Sequence, residues 1–367
     1  MMRFILKPAT VLSRSFNFCS FKREKLGNTL SYELPNGNFC SFNDITSCQT
    51  ISNRSFLWVM HSYSGFTSEL NNMLNGFAYS IATQRRFLVV ASLWNYGSFE
   101  NYFDTYRSGL SPYSTFDVSC SRRTFIMLDK SHTRNEQSDH IMLSRDENGL
   151  FILLNSVTEN FHKNIAPIIS IQQKRRVAHF LWQYLSKDTK DFVRMAINKS
   201  DIDVNVPFYA LHIRRGDKLM TESPRNLTID DYIKGIDHLQ KQANLHDANT
   251  SSKSTDNNVL RVFVASDTQS VIKELKVIRP DWHLIYLIYD EKLKESIAFG
   301  HDQAKFNLLS AEIKLNITRM LIAELVVMTY ATGIVCTMSS NVCRFIQILR
   351  HQNEDSVYSL DDRWHPA

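Results

Sequence analysis

Apolar and polar positions follow two regimes along this chain. Residues 55–60 (SFLWVM) form a short, continuous apolar run of the kind a buried strand makes. A turn-like HSYSGFTS follows, and then Leu70, Met73, Leu74, Phe77 and Ile81 recur every three to four residues, which predicts a helix. RFLVVAS from Arg86 reads as a second strand. Strand, loop, helix and strand in this order seed an open α/β layer. From Trp94 to Gln172, NYGSFENYFD and SGLSPYSTFD look like loops, and TFIML and LFILL are too short to assign. One helix is predicted across 174–197, with Val177, Phe180, Leu181, Tyr184 and Leu185 on one face.

From Pro207 the alternation becomes regular. FYALHI is a predicted strand, 229–239 a helix with Ile229, Tyr232, Ile233, Ile236 and Leu239 on one face, and VLRVFVAS a strand. A helix from Thr268, the strand HLIYLI, a helix over 318–330, the strand GIVCT and a helix beginning near Ser340 complete the series. Such an order argues for a parallel, doubly wound sheet. The polar tract LHDANTSSKSTDNN reads as a surface loop. The expected organisation is an irregular leader over 1–50, an amino-terminal open α/β domain over 51–205, and a Rossmann-type domain over 206–367.

Composition changes this picture little: 43% hydrophobic and 22% charged residues describe a folded globular chain. A net charge of +5 without runs of Lys or Arg argues against nucleic acid and leaves room for an anionic small molecule met by a few local arginines. Six cysteines without C-x-x-C, and twelve histidines without H-x-H or H-E-x-x-H, argue against zinc. Five Asn-x-Ser/Thr sequons, at Asn53, Asn198, Asn226, Asn249 and Asn316, lean toward a secretory compartment. The first 23 residues are basic and acid-free, yet the run from Met1 to Leu6 is broken by Lys7 and Pro8, so no membrane span is expected there. An irregular leader and a transit peptide are the two readings of this start.

Ligands of open parallel sheets bind beyond the carboxyl ends of the strands. The segment HIRRGDKLMTES sits at such an end and supplies His212, Arg214, Arg215, Asp217, Lys218 and Glu222. After GIVCT, Ser340 and Asn341 open a helix whose first N–H groups and dipole suit an anion; simple N-capping is the structural alternative. With only 11 glycines, no G-x-x-x-x-G-K-[ST] and no G-x-G-x-x-G after a strand, a bound phosphate would be held by arginine and helix ends. Asp201-Ile202-Asp203 precedes a strand and reads as a solvated loop, and RGD at 215–217 as part of the crevice rather than an adhesion signal.

These segments resemble the α-1,6-fucosyltransferases that modify the N-glycan core. HIRRGDKLMTES is similar to their HVRRTDK…TE, VFVASD to VYLATDD, VCTMSSNVCR to VCTFSSQVCR and VYSLDD to HSLDD. GFTSELNNMLNGFAYSIATQRRFLVVASLWNY shares the layout of their glycine turn, helix, TQR and aromatic segment, so the resemblance runs from Leu57 to Asp362. It implies a GT-B-like fold with an acceptor-side amino-terminal domain, GDP-β-L-fucose as donor, an N-glycan acceptor, inversion without a metal cofactor, and residence in the Golgi lumen. By the same resemblance Arg214 meets the β-phosphate, Arg215 supports donor binding, Glu222 is the base with Lys218 assisting, and Asp217 orients the arginines. His212 helps hold guanine, and Ser340 and Asn341 meet the phosphates. Gly65 lets the backbone approach the donor, with a plain turn glycine as the alternative. Cys336 and Cys343 match a family disulfide; Cys120 matches another bridged cysteine, whose partner is Cys48 or Cys40.

The resemblance has gaps. Asp267 matches the first acid of the family's pair, but Thr268 replaces the second, leaving Asp267 to orient a donor or cap the next helix. Glu324 stands where the family has a guanine-binding aspartate. The SH3-like module that follows SLDD in the family is not expected within Ala367, nor an anchor before the catalytic region, which leaves a non-catalytic nucleotide-sugar or glycan binder and a protein O-fucosyltransferase as alternatives to the core fucosyltransferase.

Overall fold

A computed structural model describes residues 55–60, 64–82, 86–91, 94–108, 110, 126–127, 140–143, 169–215, 227–248, 259–268, 270–296, 300–350 and 356–361. The chain divides into two compact units, one from residues up to His61 with Asn72–Ser186, the other from Ser62–Asn71 with Lys187–Pro366.

The first unit carries a parallel sheet of order β2-β1-β4-β3, with β1 at Ser55–Val59, β2 at Arg86–Val90, β3 at Ile126–Met127 and β4 at His140–Leu143. Helix α1 (Phe66–Ala82) connects β1 to β2, as the periodicity predicts. Its Phe77 stacks on Phe87 of β2 at 4.8 Å and meets Phe180 edge-on at 5.8 Å. The stretch left unread holds a 3-10 turn (Phe99–Asn101), the single-turn α2 (Thr105–Ser108), β3 and β4. Trp94, Tyr96, Phe99, Tyr102 and Phe103 pack as one aromatic cluster, and the Tyr102 hydroxyl donates to the Tyr96 carbonyl at 2.7 Å.

The single helix expected across 174–197 is two, α3 (Ile171–Gln183) and α4 (Lys187–Lys199). A Ser170/Gln173 capping box starts α3. Tertiary pairing breaks the helix where periodicity shows no break: the Tyr184 carbonyl accepts the Asp104 N–H at 2.6 Å, the Ser186 N–H donates to the Tyr102 carbonyl at 2.8 Å, and Leu185 bridges to Phe103.

The second unit carries five parallel strands in the order β7-β6-β5-β8-β9: β5 (Tyr209–Ile213), β6 (Arg261–Ser266), β7 (His283–Ile285), β8 (Gly333–Cys336) and β9 (Val357–Ser359). Renumbered within the unit this is 3-2-1-4-5, the Rossmann-type order, whose direction reverses between β5 and β8. The α/β class and the doubly wound sheet therefore stand as expected, in a chain of two α/β units.

Helices α5 (Ile229–Ala248) and α6 (Ser270–Ile278) cover one face, where Ile233, Ile236, Val271 and Leu275 pack with Leu211, Ile213, Val264 and Val335. Helices α7 (Glu291–Ser296), α8 (Gln303–Leu308) and α9 (Ala311–Thr329) lead to β8, and α10 (Asn341–Leu349) to β9. No residue of α9 or α10 enters that cluster; the two pack on one another. Right-handed crossovers in opposite directions from the reversal point put them on the other face.

Boundaries differ from expectation: strand β7 stops at Ile285, short of the expected HLIYLI. Helix α5 runs through Leu245–Ala248, the start of the polar tract read as a loop. Helix α9 begins at Ala311 because Ser310 caps it, its hydroxyl accepting from the Ile313 N–H. Helices α7 and α8 and strand β9 have no strong period of their own and were not foreseen.

Helix α5 crosses β8 closely at Gly235, where an added Cβ would lie 2.6 Å from Val335 Cγ1 and 3.2 Å from Tyr358 Cδ1. Val335 is stiff at χ1 and fully buried, so it has little room to yield. Gly235→Ala should therefore destabilise the protein by about 1–2 kcal/mol in urea titration, overpacking outweighing the ~1 kcal/mol helix-propensity gain.

Candidate active site at the strand reversal

Strands β5 and β8 are adjacent and parallel, with Leu211 opposite Val335, so the residues after Ile213 and after Cys336 emerge at the same edge. Side chains alternate along β5: Leu211 and Ile213 join the cluster under α5 and α6, and Ala210 and His212 face the other way. Continued past the strand end, the alternation sends Arg214 to the His212 face and Arg215 to the α6 face. Burial foremost, with the Arg214 charge second, pushes the His212 imidazole down to about 3, so the ring is neutral. Its Nδ1 is buried without a hydrogen-bond partner.

Arg215 is held by three hydrogen bonds to two acids. Its N–H donates to Asp267 Oδ1 at 2.8 Å, and its guanidinium forms a fork with Glu274 of α6, 2.6 Å to Oε1 and 2.9 Å to Oε2. Asp267 thus serves the backbone of the loop after β5, and it also accepts from the Thr268 hydroxyl at 3.3 Å.

The turn after β8 is held as firmly. Asp361, from the SLDD segment, accepts the N–H groups of Met338 (2.5 Å) and Ser339 (3.2 Å) and the Ser339 hydroxyl (2.5 Å). Arg344 Nε donates to the Met338 carbonyl at 2.6 Å. A Cys336–Cys343 disulfide joins the last residue of β8 to the first turn of α10, as the family resemblance implies.

Ser340 occupies the N-cap of α10, yet its side chain makes no capping hydrogen bond. Its Oγ is buried with no partner, the residue being 4% exposed. An unpaired buried hydroxyl costs roughly 1–3 kcal/mol, which a bound acceptor or donor would recover. Beside it the N–H groups of Asn341, Val342 and Cys343 lie in the first turn, where no intrahelical acceptor exists. The start of α1 belongs to this unit too: Asn71 Nδ2 donates to the Asn341 carbonyl at 3.1 Å.

Glu324 of α9 is 8% exposed and accepts from the Tyr289 hydroxyl at 2.9 Å. Burial pushes its carboxyl up to about 8; the Tyr289 hydrogen bond pulls it down and the nearby Asp267 charge adds to the rise. Burial, with Glu324 and Asp267 alongside, likewise raises the Tyr289 phenol.

Gly65 precedes α1, and its carbonyl accepts the Glu69 N–H at 3.0 Å. Its φ is not in the left-handed region, and a Cβ there would meet only Gln303 Oε1, at 3.8 Å. The described fold does not itself demand glycine there. Asp203 Oδ1 accepts the backbone and side-chain N–H groups of Asn205, the solvated loop expected of the Asp-x-Asp triplet. Asp217, Lys218 and Glu222 lie outside the described residues, as do Cys40, Cys48 and Cys120.

His212, Arg214, Arg215 and Asp267 thus gather around the carboxyl ends of β5 and β6, Ser340 and Asn341 follow the adjacent β8, and Glu324 lies within electrostatic reach of Asp267. Glu274, Tyr289 and Asn71 were missed. The signal for Glu274 was its place next to Leu275 on a predicted helix following a strand-end acid; Asp361 belongs to the VYSLDD motif.

The match to known proteins decides the family. Residues 20–365 fit the model for alpha-(1,6)-fucosyltransferase N- and catalytic domains. The chain belongs to the alpha-(1,6)-fucosyltransferase family. It is accordingly a glycosyltransferase by descent, of the fucosyl-transferring kind. Among solved structures it is similar to the fucosyltransferase NodZ from Bradyrhizobium at 12% identity and TM-score 0.46, covering 84% of this chain and 97% of that one. A variant of Arabidopsis thaliana FUT1 in complex with GDP aligns at 11% identity and TM-score 0.44, over 84% of this chain and 72% of that one. POFUT1 in complex with GDP aligns at 14% identity and TM-score 0.43, over 84% and 99%. Among the described residues no helix is long and apolar enough to cross a membrane, and no group of three His, Cys, Asp or Glu stands ready for a metal ion.

The Glu324 carboxyl gives a signed test. Its folded value, about 8, lies above the ordinary 4.5, so its contribution to stability is fully present below pH 4.5 and is lost as pH rises through 8. Glu324→Gln keeps an acceptor for Tyr289 and abolishes that loss. Thermal or urea unfolding should find the variant nearly equal to wild type at pH 5 and more stable by a few kcal/mol at pH 9, since each pKa unit is worth about 1.4 kcal/mol.

Proposed function

We propose that this fucosyltransferase-family chain transfers L-fucose from GDP-β-L-fucose to the core N-acetylglucosamine of N-glycans in α-1,6 linkage, with inversion and without a metal cofactor, in the Golgi lumen. The observation that carries the donor reading is the buried, unpartnered Ser340 Oγ at the start of α10, beside the strand end that bears Arg214. A helix start with a spare hydroxyl and an arginine on the neighbouring strand is the equipment for a diphosphate in a chain without a glycine cradle.

In this reading Arg214 binds the β-phosphate, and Ser340 Oγ with the first N–H groups of α10 and the Asn341 side chain completes the grip. His212, neutral and with Nδ1 unpaired, offers a lone pair to a guanine N–H, and Glu324 meets the base as a buried acid. Gly65, which nothing in the described fold crowds, leaves room for the donor to approach.

The chemistry is a displacement at the sugar's anomeric carbon. The acceptor hydroxyl oxygen attacks as Glu222 takes its proton, the bond to the diphosphate oxygen breaks, and GDP leaves with its new charge facing Arg214 and the helix start. Lys218 and Asp217 support Glu222 and the arginines. Fixed cationic and N–H groups favour the departing diphosphate most in the transition state, which is what raises the rate.

The test is fucose transfer from GDP-fucose to a core N-glycan, with EDTA present, followed by mass spectrometry. Wild type should transfer. Glu222→Gln should lose about 100-fold to 10,000-fold in kcat, and Arg214→Ala about 100-fold or more in kcat/KM. Undiminished transfer by the Arg214 variant would refute the site, and GDP binding without transfer to any glycan would refute the catalytic reading.

A further inference from the structure

The two arginines that follow β5 are adjacent in sequence and alike in chemistry, but the fold treats them differently. Alternation carries Arg215 to the face covered by α6, where the end of its guanidinium lies in a two-bond fork with Glu274 at 2.6 and 2.9 Å. Its backbone N–H is tied to Asp267 at 2.8 Å. Side chain and main chain are thus anchored to α6 and to the end of β6, the neighbour of β5 on the side away from β8. Arg214 goes to the opposite face, close enough to His212 for its charge to act on the imidazole.

A guanidinium already paired with a carboxylate has little net charge to offer a diphosphate. A fork of two parallel bonds also fixes orientation in a way that one lysine ammonium cannot. The anchor acts on the residue next to Arg214, at the strand end that lies beside β8.

We propose that Arg215 and Glu274 form a positioning pair for the donor site: Glu274, through the Arg215 guanidinium, holds the backbone that leaves β5 and so fixes the neighbouring Arg214, and Arg215 itself does not bind the diphosphate. This rests on the donor-site reading above. Glu274 takes part through Arg215 and touches neither donor nor acceptor.

The experiment is isothermal titration of GDP into the full chain and its Arg215→Ala, Glu274→Ala, Glu274→Gln and double Arg215→Ala/Glu274→Ala variants, at several salt concentrations, with thermal melts run alongside. The pair predicts that each single variant weakens GDP by a similar factor, about tenfold, and that the double variant is no worse than either, because one linkage is lost in every case. The slope of log Kd against log salt should flatten most in Arg214→Ala, where the cation that meets phosphate is lost outright.

Additive losses, about a hundredfold in the double variant, overturn the pair. So does an unchanged or tighter Glu274→Ala beside a severe Arg215→Ala with a flattened salt slope, which would make Arg215 a phosphate ligand. Glu274→Gln keeps shape and volume, so the comparison survives if Glu274→Ala does not fold. A wild-type chain that binds no GDP overturns the donor-site reading, and the pair with it; wild-type binding with additive losses overturns the pair alone.

Discussion

The parallel pairing of β5 with β8 is the constraint on which this molecule's chemistry depends. Chain connections leave those two strands in opposite directions, toward β6 on one side and β9 on the other, which makes their carboxyl ends the topological switch point where open α/β sheets bind ligands. The pairing brings Arg214 and Arg215, after Ile213, beside the turn after Cys336, two segments more than a hundred residues apart in sequence. Parallel strands keep such ends in register only while both faces stay covered, which is the work of α5 and α6 on one side and α9 and α10 on the other.

The electrostatics of the crevice are best seen as a set of acids taken out of competition. Asp267, Glu274, Glu324 and Asp361 all lie around a site proposed to bind two phosphates, and four unscreened carboxylates there would repel them. Each is dealt with differently. Asp361 is consumed by the N–H groups of Met338 and Ser339, Asp267 by the Arg215 N–H, Glu274 by the Arg215 guanidinium, and Glu324 by burial that keeps it protonated at neutral pH. Positive character at the edge then comes from Arg214 and the start of α10. The unpaired Ser340 Oγ, His212 Nδ1 and Asn71 Oδ1 are among the polar atoms this arrangement leaves over.

Much of this was legible beforehand where a residue's chemistry and its strand or helix position coincide. The run FYALHI followed by Arg214 and Arg215 announces a strand end with charge, and GIVCT followed by Ser340 and Asn341 a helix start, because apolar runs and caps are local signals. The break at Tyr184–Ser186 was not legible: Val177, Phe180 and Leu185 keep helical spacing, and only bonds to the 102–104 segment interrupt the backbone. Glu274 was passed over for a related reason: its helix was predicted, but an acid on a helix surface looks solvated until the fold sets an arginine against it. Glu324 and Asp361 were noticed as motif letters, but the protonation of one and the N–H partners of the other belong to their surroundings.

By itself the sequence determined the α/β class, four of the five strands and the main helices of the carboxyl-terminal unit, the family, and the residue types able to grip a phosphate, because these depend on short-range periodicity, capping chemistry and local motifs. Only the tertiary structure decided that Arg214 and Arg215 part company, that Ser340 leaves its helix uncapped by its side chain, and that Glu324 holds its proton. Those outcomes depend on which face of a sheet a side chain meets and how much water reaches it, and neither is set by neighbours along the chain.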